Sequence, residues 1–235
     1  ERYGLSAPEQ CAETESAYQG ECRIELVEDP ERLEQLLELW RQADWVSVLA
    51  LPTLDGVAVD GAEEDGVCVG AVVLQSRVGA EMYQRFLQIL FSGEIQKVTH
   101  QAKELMEQLL AEGLSTEGFL FDTALGAYLL APTDGSYALD RLSVSWLNFQ
   151  LPDQNLYTGP EAFAPLGDPT QAAAAMLRYT ATVGALYEAM VPKLEEQGLM
   201  ELFRTVELPL CPVLAEMEQV GFLVDRGALG TFGEM

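Results

Sequence analysis

Carboxylates dominate the residues of this chain that could do chemistry. In 235 residues, 38 Asp and Glu stand against 13 Lys and Arg, a formal net charge of −25. Clusters such as Glu63-Glu64-Asp65 and Glu195-Glu196 carry the oxygen ligands that hard divalent cations need, but such charge runs read as solvated faces. The four cysteines, Cys11, Cys22, Cys68 and Cys211, are widely spaced and form no CxxC pair. They read as reduced intracellular thiols rather than a zinc site. The single His100 supplies no histidine-based metal set or triad, and at a strand-to-helix junction it reads as hydrogen-bonded or solvated. In Arg178-Tyr179-Thr180-Ala181-Thr182-Val183 an apolar valine follows a tyrosine by four residues. Positions i and i+4 share a helix face, and an isopropyl group there offers a cation nothing.

Charge also bears on partners. Sequence-independent affinity for nucleic acid comes from Lys and Arg neutralising phosphates, so the acidic balance argues against a free-standing DNA-binding module. A composition 49% hydrophobic and 22% charged describes a folded globular protein, long enough for one domain of ordinary size plus something extra. No run approaches the ~18 apolar residues of a spanning helix, so no membrane partner is expected. The chain opens on Glu1 without an initiating Met or a signal sequence and stops at Met235 inside an apparent helix, which suggests an excised fragment.

The elements that must position these residues begin after a polar, aperiodic stretch, 1–20, read as a linker or arm. Cys22 to Val27 alternates as a strand, Asp29-Pro30 signals a helix start, and Leu33, Leu36, Leu37 and Trp40 mark one helix face. Trp45 to Leu51 reads as a buried strand ending at Pro52 and Asp55-Gly56. The acidic stretch Val57 to Gly66 reads as a loop and Val67 to Leu74 as a strand. Further on, the pattern gives a helix over Glu81 to Phe91, a short strand at Lys97-Val98-Thr99 and a helix from Ala102 to Glu112 capped by Gly113. Phe121-Asp122-Thr123 leads into a helix to Leu130, and Tyr137 to Leu142 into one ending near Trp146. Phe149 to Asp168 reads as a long loop. Gln171 to Glu196 is the longest helix, which Pro192 should end or kink. A mixed central sheet flanked by helices, an α/β domain of the ribonuclease H type, is the architecture expected.

Toward the C-terminus stand Glu207-Leu208-Pro209-Leu210-Cys211-Pro212-Val213-Leu214-Ala215-Glu216-Met217-Glu218, then Gly221 and Val224-Asp225. This resembles the ExPLxPVLxxME segment and GxxVD turn that open the polymerase region of bacterial family A DNA polymerases (DNA polymerase I). Upstream, Phe121-Asp122-Thr123-Ala124-Leu125-Gly126-Ala127-Tyr128-Leu129-Leu130 resembles that family's FDTxLxxYLL segment, and Tyr137 to Leu142 the helix that follows it. The resemblance spans about Cys22 to Met235. It implies a linker over 1–20, a 3′–5′ exonuclease-like domain over 21–198, and the beginning of the polymerase domain over 199–235.

In that family the exonuclease uses carboxylates to hold two divalent ions, one activating water and the other stabilising the leaving oxygen. A tyrosine helps orient the water. Aligned by the run Val46 to Pro52, the first motif's Asp-x-Glu falls on Ala50 and Pro52. The second motif's Asn and Asp fall on Gln101 and Leu105, with Glu104 about 100° away around the helix. The third motif keeps Tyr179, as a packing residue with a hydrogen-bonded hydroxyl, and has Val183 for its Asp.

The resemblance therefore implies an exonuclease fold without catalytic or metal-binding residues and without a cofactor of its own, acting as structural support for the rest of a polymerase chain. The parent would be a bacterial, cytoplasmic DNA-directed DNA polymerase, a nucleotidyltransferase of replication and repair that uses Mg²⁺ and binds DNA through its polymerase domain. DNA binding by this stretch itself should be weak or absent. Two alternatives stand beside this reading. One is a degenerate nuclease site rebuilt from the displaced carboxylates Asp55, Asp60, Glu104 or Asp122; the other is an acidic module that docks a basic partner.

Overall fold

Six strands pair into one mixed sheet, in which β1 alternates polar and apolar residues while the central strands bury residues on both faces. The computed structural model describes residues 22–164, 168–221 and 223. The strands are β1 (Cys22–Val27), β2 (Val46–Ala50), β3 (Gly56–Glu64), β4 (Val67–Leu74), β5 (Lys97–Thr99) and β6 (Phe119–Asp122), in the order β1-β4-β3-β2-β5-β6. Antiparallel pairs join β2 to β3 and β3 to β4, while β1–β4, β2–β5 and β5–β6 run parallel.

The helices are α1 (Pro30–Gln42), the single turn α2 (Gln75–Val78), α3 (Ala80–Leu90), α4 (Ala102–Ala111), α5 (Thr123–Leu130), α6 (Leu139–Leu147), the short α7 (Asn155–Thr158) and α8 (Pro169–Glu196). After α8 come α9 (Met200–Leu202), a π turn over Phe203–Glu207, and α10 (Leu208–Val220). Because successive strand residues point to opposite faces, the sheet feeds two cores. Val57, Val59, Val69, Ala71 and Val73 pack with α1, α3 and α4, whereas Ala58, Val72 and Leu74 pack with α5, α6 and α8. This is the expected α/β architecture of a mixed sheet between helices.

Val57 to Gly66 is not the loop that its acidic composition suggested. Most of it is β3, paired on both sides and buried from Gly56 to Asp60. Tertiary pairing outweighs local composition here, and an irregularity between Val59 and Ala62, with Gly61 at φ 108°, accommodates Asp60. Phe119–Asp122 forms a further strand, β6, ahead of the expected helix. The expected loop 149–168 contains the helical turn α7. Pro192 does not end α8, which runs on to Glu196. One lost backbone bond there is outweighed by the burial of Met190 and Leu194 on either side. The arm 1–20, Cys11 and the Val224-Asp225 turn lie outside the described residues.

An ionic cluster braces β1. The Arg32 guanidinium donates to both oxygens of Glu25, each at 2.9 Å, and to both oxygens of Glu64 at 2.8 and 2.9 Å. Arg23 pairs with the same two carboxylates. The hydrogen bond from Arg32 leads in holding the Glu25 carboxyl below its ordinary range.

Lys97 on β5 is wholly buried. Its Nζ donates to the carbonyls of Ser92 at 2.8 Å and Ile95 at 2.7 Å and faces the rings of Phe91 and Phe119. The site leaves no room beside it: at Gly118, φ 73°, a Cβ would come within 2.6 Å of Nζ and 2.5 Å of the Ile95 carbonyl. Burial pushes the amine down to about 7, with Glu117 acting in the opposite direction. Below pH 7 both folded and unfolded chains carry the proton, and the cost of burying the charge is full. Between about 7 and the unfolded value near 10.5 only the unfolded chain holds it, so that cost fades as pH rises. Wild-type stability relative to Lys97→Met should therefore climb from pH 7 to pH 9 by up to about 1.4 kcal/mol per unit. Urea unfolding of both proteins across that range measures it, and parallel curves would refute it.

Candidate functional site: a cleft at the carboxyl ends of β2 and β5

The parallel pair β2–β5 ends in Ala50 and Thr99, and the chain leaves both strands at the same edge of the sheet. From Thr99 it turns through His100 and Gln101 into α4. Gln101 adopts the left-handed region at φ 57°, a conformation that costs a non-glycine residue roughly 1 kcal/mol. The Asp122 carboxylate anchors this bend. It is buried, and it accepts hydrogen bonds from the backbone N–H of Gln101 at 3.0 Å, Ala102 at 2.7 Å and Ala124 at 2.8 Å. One side chain thus caps α5 and fixes the start of α4. Burial pushes its pKa above the ordinary carboxylate range and the backbone donors oppose the shift.

Between β2, β5, α4, the start of α6 and the segment 150–154 lies a cleft of about 780 Å³. Ala50, Pro52, Gln101, Leu105 and Tyr179 all line it, so the resemblance-derived positions converge in space. Val183 does not reach the cleft surface. It is fully buried in the core with Met176, Leu186 and Phe121, whereas Leu105 belongs to the core on the other side of the sheet with Leu109 and Leu114. Two of the four expected carboxylate positions are thus absorbed into apolar packing. Ala50 is half-buried and Pro52 exposed. None of these four side chains has an oxygen to offer, so the residues present do not fit a pair of divalent cations.

Of the displaced carboxylates, only Glu104 lines the cleft. Its 100° offset from Leu105 leaves it on the cleft side, because Gln101, Glu104, Leu105 and Gln108 share one face of α4. Asp122 is committed to backbone capping. Asp60 is buried in β3, where the Cys68 thiol lies 3.4 Å away, and Asp55 accepts from the Thr53 hydroxyl in the β2–β3 turn. Among the described residues, no three His, Cys, Asp or Glu side chains gather as a metal site would require.

Tyr179 donates its hydroxyl to the Pro152 carbonyl at 2.7 Å and meets Tyr157 edge-on, centroids 5.0 Å apart. Its hydroxyl is thereby used to tie α8 to the segment before α7. His100 Nδ1 lies 2.8 Å from the Thr123 hydroxyl. Burial lowers its pKa to about 4 while Asp140 opposes the shift, so the ring is neutral at pH 7. Sequence reading missed Asp140, Asp153 and Tyr157, which also line the cleft. Asp140 stands in the Tyr137-to-Leu142 segment, whose leucines drew attention instead. Asp153 and Tyr157 sit in the stretch 149–168, whose lack of periodicity reads as a long loop.

The far side of α4 carries α10. Ala102 and Met106 form a small core with Cys211 and Ala215. Lys103 bridges Glu107 and Glu218, each at 2.8 Å, and Gln219 donates to the Glu107 carbonyl at 2.9 Å. Burial pushes the Cys211 thiol up to about 12, which keeps it protonated. Away from α4, Val206, Leu210, Val213, Met217 and Val220 remain exposed.

No protein-family model matches the chain. It is 31% identical to DNA polymerase I of Treponema pallidum over 172 residues, which cover 70% of this chain and 16% of that protein. To the Mycobacterium tuberculosis H37Rv enzyme it is 34% identical over 136 residues, 55% of this chain and 14% of the relative. To the Bacillus subtilis enzyme it is 29% identical over 161 residues, 67% of this chain and 18% of the relative. The chain thus spans less than a fifth of the length of these curated relatives. Among solved structures, the polymerase domain of Pol1 from M. smegmatis, in complex with DNA primer-template and dNTP, superposes with a TM-score of 0.69 at 25% identity. That match covers 88% of this chain and 34% of the other. Trypanosoma brucei RNase D (TM-score 0.57, 16% identity, 74% of this chain and 66% of that one) and the Rrp6 catalytic core (0.60, 17%, 80% and 51%) share the fold alone. The fold is that of the ribonuclease H-like exonucleases. No helix among the described residues is long and apolar enough to cross a membrane.

Proposed function

The chain belongs to the DNA polymerase I family, of which it represents a part, and from that premise we propose that it is a catalytically silent 3′–5′ exonuclease-like domain supporting a polymerase domain. The observation that carries this reading is the filling of the old site: Leu105 and Val183 lie in two separate apolar cores, and Ala50 and Pro52 complete a set without oxygen ligands. Losing one ligand of a two-metal site leaves partial chemistry, whereas losing all four leaves neither water activation nor leaving-group stabilisation. The domain itself then needs no metal.

The supporting role is favoured by α10, which is seated on α4 by a small core and an ion pair while its opposite face stays apolar and exposed. On this reading the exonuclease-like domain covers 21–198, and 199–235 begins the polymerase region. The longer protein would be a bacterial, cytoplasmic DNA-directed DNA polymerase of replication and repair, using Mg²⁺ in its polymerase domain. DNA would be held there and weakly or not at all by this stretch, whose net charge of −25 repels phosphates.

Incubation of the purified protein with 5′-labelled single-stranded DNA and Mg²⁺ or Mn²⁺ should leave the oligonucleotide intact. Shortened products that disappear in Glu104→Ala or Asp55→Ala would overturn the reading.

A further inference from the structure

We infer that the outward face of α10 is a docking seam for an α-helix of the polymerase region of the longer protein, a helix apolar along one side and rimmed by Lys or Arg. This rests on reading 199–235 as the start of that region and is independent of the silence of the cleft. Among the described residues twelve large apolar side chains are exposed, and eight of them fall between 202 and 223. Five of the eight, Val206, Leu210, Val213, Met217 and Val220, recur at steps of four, three, four and three, each between 42% and 86% exposed. Residues so spaced form one stripe along a helix. The alternation of four and three is also the spacing by which a second helix packs alongside, knobs into holes. At 1.5 Å per residue the stripe is roughly 21 Å long. Apolar residues exposed singly are ordinary, whereas a continuous stripe marks an interaction surface.

Three observations select the occupant. The inner side of α10 is already seated on α4, through Cys211 and Ala215 and the Glu218–Lys103 pair, so the helix is held with its stripe facing away from the sheet. Glu207 and Glu216 flank the stripe, and no Lys or Arg stands between 205 and 220. A second copy would bring these glutamates and two net charges of −25 together. Lys or Arg beside the apolar side of an incoming helix complements them instead. Finally, the matched stretch is only 14–18% of the DNA polymerase I relatives, and it occupies 34% of the M. smegmatis Pol1 chain. A partner in the same polypeptide is held at high effective concentration, so a seam of this length suffices.

Photochemical cross-linking in the longer polypeptide tests this. Met217→p-benzoylphenylalanine should give an intrachain link to a segment beyond 235, located by tandem mass spectrometry, with apolar residues every three or four positions and Lys or Arg beside them. No link, a link to a second copy, or a link to a segment without that spacing would overturn the inference. Backbone amides of 206–220 should exchange at least about ten-fold more slowly in the longer polypeptide than in the 235-residue chain. Leu210→Lys with Met217→Lys should remove that slowing. Glu207→Gln with Glu216→Gln should remove part of it, roughly two- to three-fold, whereas Glu195→Gln with Glu196→Gln, on α8, should remove none. Equal exchange in the two wild-type proteins, or equal effects of the two glutamate pairs, refutes the seam as described. Primer extension by the longer polypeptide separates the two failures. Extension without the cross-link refutes only the docked helix, and absence of extension refutes the polymerase reading on which it rests.

Discussion

Asp122→Ala lowers the unfolding free energy by about 3 kcal/mol, the largest loss expected of any single polar substitution in the sheet-edge bend. Three backbone N–H groups, of Gln101, Ala102 and Ala124, lose their acceptor together. Hydrogen bonds to a charged partner contribute about 1.5–3 kcal/mol each, and donors left buried and unpaired add their own cost. The desolvation of a buried carboxylate offsets part of this gain. The left-handed turn at Gln101, roughly 1 kcal/mol unfavourable for a side-chain-bearing residue, also loses its anchor. Asp122→Asn keeps one acceptor oxygen but turns an amide against N–H donors, so about half the loss should remain. Urea denaturation followed by far-ultraviolet circular dichroism measures both. A loss below about 1 kcal/mol for Asp122→Ala would show that the caps on α4 and α5 are held by other means.

Restoring one old ligand should be just as disruptive. Val183→Asp places an ionisable group at a fully buried position among Met176, Leu186 and Phe121, and burial of an unpaired carboxylate costs several kcal/mol. We expect a loss of about 3–5 kcal/mol near pH 8. Burial raises the folded-state pKa of such a group above its unfolded value. Protonation then binds more tightly to the folded chain, so the variant regains stability as pH falls toward 5. Ala50→Asp, half-buried at the cleft, should cost less than about 1 kcal/mol. Thermal melts at pH 5 and pH 8 for the two variants distinguish a filled corner from an open one. A Val183→Asp protein as stable as Ala50→Asp at pH 8 would mean that water or a cation reaches position 183.

Much of this arrangement is legible in the residues. Leu33, Leu36, Leu37 and Trp40 recur at helical spacing and form the buried face of α1, and the unbroken apolar run 67–74 is β4. β3 escaped because Asp60, Glu63, Glu64 and Asp65 give it the look of a solvated turn. Its burial comes from β2 and β4 on either side, information that no local window contains. The cleft divides along similar lines. Ala50, Leu105, Tyr179 and Val183 are found through motif spacing, since each sits at a fixed step along a strand or helix. Asp140 and Asp153 are not, because only the tertiary placement of α6 and of the segment after it brings them to the same cleft as Glu104. That Leu105 and Val183 serve different cores is likewise a property of the sheet between them.

The charges around β1 have a consequence for behaviour in concentrated solution. β1 is the outer strand of the sheet among the described residues, and an outer strand offers unpaired backbone groups to any other chain. Arg23 and Glu25 stand on it, tied to Arg32 and Glu64 behind. An incoming strand would have to strip water from this ionic cluster before it could pair. The same side chains that fasten β1 to its own fold thus guard it against edge-to-edge aggregation.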